Sequence, residues 1–382
     1  MKKIVVAIDS FKGSLSSLQA GRAVQEAILR LKSDAEVLVK PLADGGEGTV
    51  DAFAESADAR MVETQVQGPL QAPVFAKYCI LEETQTAVME MAAAAGITLI
   101  SAKERNPLET TTYGVGQMIK DAMERGCRRF LIGIGGSATN DGGTGMLTAL
   151  GYEFLDAQDV PIALGAKGLK DLAKIKTDGA HPLLKECTFH IACDVTNPLC
   201  GETGCSAVFA PQKGATPAMI REMDGWLAHY AILAKTVSPK ADLNYAGAGA
   251  AGGLGFAFLT FTNATLRSGV EIVLEETKLE EEIKNADLVV TGEGRLDAQT
   301  VMGKAPIGVA RLAKKHGKRV IAFAGCVTEE ATVCNAHGID AYFPILRGIT
   351  TLEEALNPEN AYKNIVATAE QVFRLIITKK GE

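Results

Sequence analysis

One loop of the chain has the residue types that commonly hold phosphate groups. Residues 133–145 are rich in glycine and small polar residues, and they lie between an apolar run and a segment that can begin a helix. Glycine lets backbone N–H groups approach a ligand, and N–H groups clustered at a helix start bind anions. We therefore predict that this loop binds a nucleotide through Gly135, Gly136, Ser137, Thr139, Asn140, Gly142 and Gly143.

Other interpretations of the glycines stay open. Gly133, Gly135 and Ala138 formally match a dinucleotide fingerprint, which would indicate an NAD-dependent dehydrogenase of a small hydroxy acid. The loop can also be a purely structural turn. In a second loop, residues 247–255, Gly252 and Gly253 either place backbone against the nucleotide or allow close packing of a helix on a strand.

Carboxylates are paired in two further glycine-containing segments. Asp44 and Glu47 follow one short apolar run, and Glu293 and Asp297 follow another. Carboxylate oxygens are ligands that Mg²⁺ prefers, so these four residues are the predicted metal ligands. Aspartate is also common in ordinary tight turns, which is the structural alternative.

Asp194 ends a short apolar run, residues 189–193. A carboxylate at the end of a strand can accept a proton from an attacking hydroxyl group, although an Asx turn before Pro198 would explain the same residue. Cations in comparable positions can bind a carboxylate or a phosphate. These cations are Lys12, Lys213 and Arg295.

The composition is that of a soluble enzyme. The chain has 382 residues, of which 47% are hydrophobic and 22% charged, and this length favours two domains. The net charge of −7 argues against nucleic acid or an anionic membrane as a partner. The eight cysteines form no C-x-x-C pair, and no apolar stretch is long enough for a signal peptide or a membrane span. We therefore expect a cytoplasmic protein.

Strands and helices alternate near both ends of the chain, and Ser16 with Gln19 forms a capping box that begins the first helix. Such alternation implies a parallel sheet with helices on both faces. The middle is richer in glycine, so we predict a doubly wound domain from residues 1–70 and 286–382, with residues 71–285 inserted as a second domain. Two consecutive domains are the alternative. Apolar runs predict strands at residues 4–8, 36–40, 286–291, 319–324 and 341–345, and helices at residues 329–337 and 360–379.

Seven segments together resemble the bacterial glycerate kinase family of the glycerate 2-kinase type, and the length agrees along the whole chain. Ile8 stands where that family usually has proline, and Gly13 replaces a common glutamate. The segments that carry the resemblance are residues 9–12, 43–49, 133–145, 192–198, 210–214, 247–255 and 291–297.

The resemblance implies phosphorylation of D-glycerate by ATP with Mg²⁺, with 2-phosphoglycerate the favoured product. Because ATP must be shielded from water, we expect the reaction in a cleft between the domains. It also implies an α/β fold, in which a flavodoxin-like domain is joined by an inserted α/β domain with a mixed sheet. A homo-oligomer is left open. A non-catalytic protein that binds small molecules is the other alternative to the dehydrogenase and the kinase.

Phosphoryl transfer depends on alignment and charge neutralisation, which suggests roles for the candidate residues. On this hypothesis Asp194 is the general base, Lys12 and Arg295 are catalytic cations, and glycerate is bound by Ser10, Lys213 and Asn197. No Walker A motif is present, because Gly303-Lys304 is followed by Ala305 rather than serine or threonine.

Overall fold

The computed structural model describes residues 2–43, 45–56 and 58–377. Internal contacts divide the chain into two compact units. The terminal unit comprises Met1–Asp44, Asp51–Ala57 and Val270–Glu382, and the inserted unit comprises Gly45–Val50 and Asp58–Gly269.

The chain begins with a strand, a helix and a second strand. Ser16 caps the helix as predicted: its hydroxyl accepts the backbone N–H of Gln19 at 3.2 Å, and the Gln19 side chain accepts the N–H of Ser16 at 2.9 Å. Val24 and Ile28 on the inner face of this helix are fully buried. The elements are β1 (Lys3–Val6), α1 (Ser17–Leu31), β2 (Glu36–Val39) and α2 (Thr49–Ser56).

The inserted unit is built on a mixed sheet. Its strands are β3 (Ala59–Gln67), β4 (Pro73–Leu81), β5 (Thr86–Glu90), β6 (Arg129–Gly133), β7 (Glu153–Leu155), β8 (Lys174–Lys176), β9 (Thr188–Ala192) and β10 (Ala264–Arg267). Its helices are α3 (Ala92–Ala95), α4 (Tyr113–Glu124), α5 (Thr144–Ala149), α6 (Cys205–Phe209), α7 (Pro217–Val237) and α8 (Ala250–Phe261).

The main sheet of this unit has the order β10-β9-β6-β5-β4-β3. Neighbours from β10 to β5 are parallel, whereas β4 runs antiparallel to both β5 and β3. The predicted boundary at residue 70 places β3 with the terminal domain, but β3 pairs with β4 in this sheet. Strands β7 and β8 form a separate antiparallel pair.

The terminal unit resumes after the insertion. Its remaining elements are α9 (Gly269–Glu276), α10 (Leu279–Lys284), β11 (Leu288–Leu296), α11 (Ala305–Lys315), β12 (Arg319–Val327), α12 (Val333–Ala336), β13 (Ala341–Pro344), α13 (Leu352–Leu356) and α14 (Pro358–Ile377). The sheet has the order β13-β12-β11-β1-β2, and all its pairs are parallel. This is the strand order of a flavodoxin-like doubly wound sheet, so the predicted fold class is confirmed.

Several predicted elements differ in extent from the observed ones, among them β12, which ends at Val327 rather than at residue 324. Strand β11 continues to Leu296, five residues beyond its predicted end, because its last residues pair with β12. The helix predicted at residues 329–337 is a 3₁₀ turn, Glu329–Thr332, followed by the short α12. The predicted end of the last helix at residue 379 lies outside the described residues.

Each unit has a hydrophobic core of its own. Tyr78, Phe130 and Phe189 are buried in the inserted unit, where the last two rings stack with centroids 4.8 Å apart. Ile4 and Phe323 are buried in the core of the terminal unit. A separate core is the mark of a structural domain. Across the part of the chain that the structure describes, no helix is long and apolar enough to cross a membrane.

Candidate active site

Parallel strands of the inserted unit end at one edge of the sheet, and several candidate loops meet there. A segment of residues 45–50 lies against this edge: the backbone N–H of Val50 donates to Glu90 Oε1 at the end of β5, at 2.9 Å. A Cβ atom added at Gly133, the last residue of β6, would lie 2.1 Å from the Gly45 carbonyl oxygen. Only glycine permits this contact, so the segment is held close to the strand ends.

The two glycine loops predicted to bind nucleotide pack directly on each other. The N–H of Gly142 donates to the Gly252 carbonyl at 2.9 Å. A Cβ atom at Gly252 would lie 2.1 Å from the Thr139 carbonyl oxygen, and one at Gly253 would lie 2.8 Å from Gly142 Cα. Both glycines have positive φ, 69° and 92°, in a left-handed turn within α8. Close backbone packing therefore accounts for these glycines.

Exposure divides the residues of the first loop into two groups. Gly135 and Gly136 are exposed, so their backbone is accessible to a ligand. Gly143 is buried, and an added Cβ would lie 2.4 Å from that of Ala257. Thr139 and Asn140 are fully buried. Of the predicted nucleotide-binding residues, the glycine pair at 135 and 136 thus has the geometry for direct contact.

The buried loop residues belong to a polar network. Asn140 donates its side-chain amide to Ser206 Oγ at 2.9 Å. Within the described residues, Asn140 Oδ1 and Thr139 Oγ1 have no hydrogen-bond partner. A buried acceptor without a hydrogen bond destabilises the folded state. Packing alone therefore does not explain why these polar groups are buried.

Asp141, which the sequence groups with Ser137, Thr139 and Asn140 as suited to a phosphate and metal site, is the centre of this network. Its Oδ2 accepts the backbone N–H and the hydroxyl of Thr112 at 2.8 and 2.9 Å, and the N–H of Gly145 at 3.3 Å. Its Oδ1 accepts the N–H of Gly143 at 3.1 Å. Burial raises the pKa of Asp141, whereas these donors act in the opposite direction. The contact between Asp141 Oδ1 and the N–H of Gly143, two residues later, is an Asx turn, which is a local pattern visible in the sequence.

Lys213 lies in the interior rather than on an open surface. It is 2% exposed, and its ammonium group donates to Ser137 Oγ at 2.8 Å and to the Thr139 carbonyl at 2.6 Å. Burial lowers its pKa to about 8, against the attraction of Cys205 and Asp141. The predicted substrate cation therefore holds the glycine loop in this structure.

Asp194 follows β9 at the strand-end edge and is exposed. Its Oδ1 accepts the backbone N–H of Gly269 at 3.2 Å. Asn197, predicted to bind substrate, donates its amide to the Thr203 carbonyl at 2.8 Å. Asp194 thus has the position and the exposure that a general base requires.

In the terminal unit, two loops with candidate residues lie side by side. Ser10 and Lys12 follow β1, and Lys12 is exposed. The N–H of Ser10 donates to Asp9 Oδ1 at 2.7 Å, and the N–H of Asp9 donates to the Gly292 carbonyl in β11 at 2.9 Å. A Cβ atom added at Gly294 would lie 3.5 Å from the Lys12 nitrogen, so the β1 loop touches the end of β11.

The end of β11 carries two acids and two cations. Glu293 Oε1 accepts the Thr300 hydroxyl at 2.7 Å, and Glu293 Oε2 lies 3.7 Å from Lys304 Nζ. Asp297 Oδ2 lies 3.2 Å from Arg295 Nε, and its Oδ1 lies 3.8 Å from Lys304 Nζ. Sequence reasoning missed Lys304, because it follows the motif by seven residues and begins another helix.

Of the four predicted metal ligands, the structure describes Glu47, Glu293 and Asp297. In residues 2–43, 45–56 and 58–377 no group of three or more histidine, cysteine or acidic side chains could hold a metal ion. Asp44 lies outside the described residues, and Glu47 is an exposed side chain of the inserted unit. Glu293 lies near Lys304, and Asp297 lies near both Lys304 and Arg295.

The geometry of the first glycine loop departs from a dinucleotide-binding turn. In such a turn the last small residue of the fingerprint lies where the helix begins. Here β6 ends at Gly133, Ala138 lies in the loop, and α5 begins only at Thr144. The sequence match that suggested a dehydrogenase therefore lacks the backbone geometry of a dinucleotide-binding turn.

Both units have charged, hydroxyl and glycine residues at the carboxyl ends of parallel strands, which is where α/β enzymes bind their ligands. The glycerate kinase family model matches residues 4–377. The chain is 46% identical over 377 residues to a glycerate kinase of Haemophilus influenzae, covering 99% of each chain. It is also 46% identical over 370 residues to the glycerate 2-kinase of Escherichia coli K12, covering 97% of each chain.

A solved structure agrees with these relatives. A Salmonella typhimurium LT2 protein, described as a glycerate kinase 2, superposes with a TM-score of 0.91 at 47% identity, covering 99% of this chain and 98% of that chain. The chain therefore belongs to the glycerate kinase family, and it is a phosphotransferase.

Proposed function

We propose that the chain transfers a phosphoryl group from ATP to a hydroxyl of D-glycerate in the presence of Mg²⁺, with 2-phosphoglycerate as the favoured product. The observation that carries the proposal is the family match over residues 4–377, together with the 46% identity to a protein named glycerate 2-kinase. The cytoplasmic location, the homo-oligomer and the reaction cleft between the units remain predictions.

Asp194 is the proposed general base. Its exposure lets a substrate hydroxyl approach, and the Gly269 N–H orients one of its oxygens at 3.2 Å. Proton removal by a positioned carboxylate raises the rate by about 10²- to 10⁴-fold. The base acts as the hydroxyl oxygen attacks the terminal phosphorus, and ADP leaves.

The nucleotide and the anionic substrate need different partners. Gly135 and Gly136 offer exposed backbone to the nucleotide phosphates, as glycine loops do. Lys12 and Arg295 are exposed cations that suit the glycerate carboxylate or the transferred phosphoryl group. The divalent ion, when bound with ATP, neutralises phosphate charge. No step in this proposal depends on a protein-bound ion.

The first experiment is a coupled assay of ADP release with ATP, Mg²⁺ and D-glycerate, with the product identified by ³¹P NMR. Glycerate-dependent ADP release supports the kinase, and the phosphorus shift and coupling separate 2-phosphoglycerate from 3-phosphoglycerate. Folded protein that binds ATP but releases no ADP with D-glycerate would contradict the proposed function.

Asp194→Asn tests the base. Asparagine keeps an oxygen that can accept the Gly269 N–H, but it cannot take up a proton, so turnover should fall by about 10²- to 10⁴-fold. Asp242→Asn is the matched control, since Asp242 is also exposed and accepts the Asn244 N–H at 2.9 Å. Near-normal turnover of folded Asp194→Asn would remove Asp194 from the mechanism.

A further inference from the structure

We propose that Lys304 and Arg295 form an oxyanion subsite at the end of β11, which Glu293 and Asp297 position rather than serving as metal ligands. This inference rests on the proposed function, because the anion it would bind is a carboxylate or phosphate group of the substrates. Lys304 was not among the predicted site residues, and in this proposal it binds the anion together with Arg295.

Exposure, rather than net charge, favours an anion at this cluster. Lys304 and Arg295 lie within 3.8 Å of Glu293 and Asp297, and Glu330 also interacts with Arg295. The side chains of Lys304 and Arg295 are more exposed than those of Glu293 and Asp297. An incoming oxyanion therefore meets the two cations before these acids, whereas a divalent cation meets like charges that oppose its approach.

The donors of Lys304 are not taken up by either acid. Its Nζ lies 3.7 Å from Glu293 and 3.8 Å from Asp297, beyond hydrogen-bond length, so the contact is electrostatic. The side chains of Lys304 and Arg295 are 34% and 62% exposed, whereas Glu293 is 10% exposed. The two acids are therefore more buried than the two cations, and this is the arrangement that an anion-binding surface requires.

The surrounding elements hold this arrangement in place. Glu293 lies in β11, paired with Ala324 of β12, and the Thr300 hydroxyl fixes one of its oxygens at 2.7 Å. Lys304 is the N-cap residue of α11, whose inner residues Ile307 and Ala310 are fully buried. Strand and helix thus fix both ends of the ion pair, and the flexible lysine stem is left to adjust to a ligand.

The test compares Lys304→Gln with Lys304→Arg, using Lys314→Gln as the matched control. Lys314 lies on the same helix, but its ammonium pairs with Asp340 at 2.6 Å. Loss of a charge-assisted hydrogen bond should lower kcat/KM about 10- to 100-fold in Lys304→Gln. Lys304→Arg should recover most of this loss, and Lys314→Gln should match the wild type. A higher KM for D-glycerate would indicate its carboxylate as the anion, and a higher KM for ATP a phosphate.

Two further measurements separate the alternatives. If the acids position cations, Glu293→Gln leaves the concentration of Mg²⁺ for half-maximal rate unchanged, whereas a tenfold rise would overturn the proposal. Thermal stabilisation by inorganic phosphate, present in the wild type and lost in Lys304→Gln, supports the subsite even if the wild type does not phosphorylate glycerate. Equal kcat/KM and equal phosphate stabilisation in folded wild type and Lys304→Gln would refute it.

Discussion

Gly252→Ala separates two explanations of the second glycine loop. If the loop is glycine-rich for packing, the variant loses stability without any ligand. If Gly252 instead contacts the nucleotide, the variant loses stability only through the cost of its backbone conformation, and its KM for ATP rises. The structure favours packing, because the added methyl carbon would lie 2.1 Å from the Thr139 carbonyl oxygen.

The size of the effect follows from two costs. A φ of 69° costs a non-glycine residue about 1–2 kcal/mol, and overpacking a dense interior typically costs about 1–3 kcal/mol more. A loss of about 2–5 kcal/mol in a unit of this size lowers Tm by roughly 4–20 °C. Scanning calorimetry without ligand measures this shift directly.

Gly225→Ala is the control for this prediction. Gly225 is an exposed residue within α7, and a Cβ atom added there would meet nothing within 4 Å. Alanine is the better helix former by about 0.5–1 kcal/mol, so this variant should unfold at a slightly higher temperature than the wild type. We therefore expect Tm to fall in Gly252→Ala and to rise slightly in Gly225→Ala. An unchanged Tm in Gly252→Ala would refute the packing argument.

Two other predictions concern the buried network. Asp141→Asn turns an NH₂ group or a weaker acceptor toward the donors of Thr112, Gly143 and Gly145, so we expect a loss of about 3 kcal/mol or more, checked by calorimetry; a wild-type Tm would contradict it. Lys213 has a pKa of about 8 when folded and 10.5 as its ordinary value, so from pH 8 to 10.5 the unfolded chain keeps a proton that the folded chain has lost. Stability therefore rises with pH in this window by up to about 3 kcal/mol, and Lys213→Met lacks this rise. Unfolding of both proteins at pH 7.5 and 9.5 measures the difference, and a pH-independent difference would be the contrary result.

Local signals in the sequence were sufficient for several elements. Ser16 and Gln19 predict the start of α1, because a capping box depends on residues only three apart. Short apolar runs predict the parallel strands of the terminal unit, because a strand buried on both faces must be apolar throughout. Asp194 was placed at a strand end by the same reasoning, and it lies there.

The roles of the glycine residues in the two loops could not be predicted from the sequence. Glycine is required both for contact with a phosphate and for contact between two backbones, so the residue type does not separate the two uses. Only the tertiary structure shows that Gly252 touches Thr139, whereas Gly135 is exposed. The sequence did not reveal the hydrogen-bond network of Asp141 for a related reason, since its donors come from Thr112 as well as from neighbouring residues.

The sequence by itself determined the class of fold, the strand-end positions of the candidate loops and the resemblance that led to the family. Those features depend on apolar periodicity and on residues adjacent in the chain. The tertiary structure alone decided that Lys213 is buried against Ser137, and that Lys304 faces Glu293 and Asp297. Charges interact through space, and a partner 76 residues away leaves no local pattern by which the sequence could reveal it.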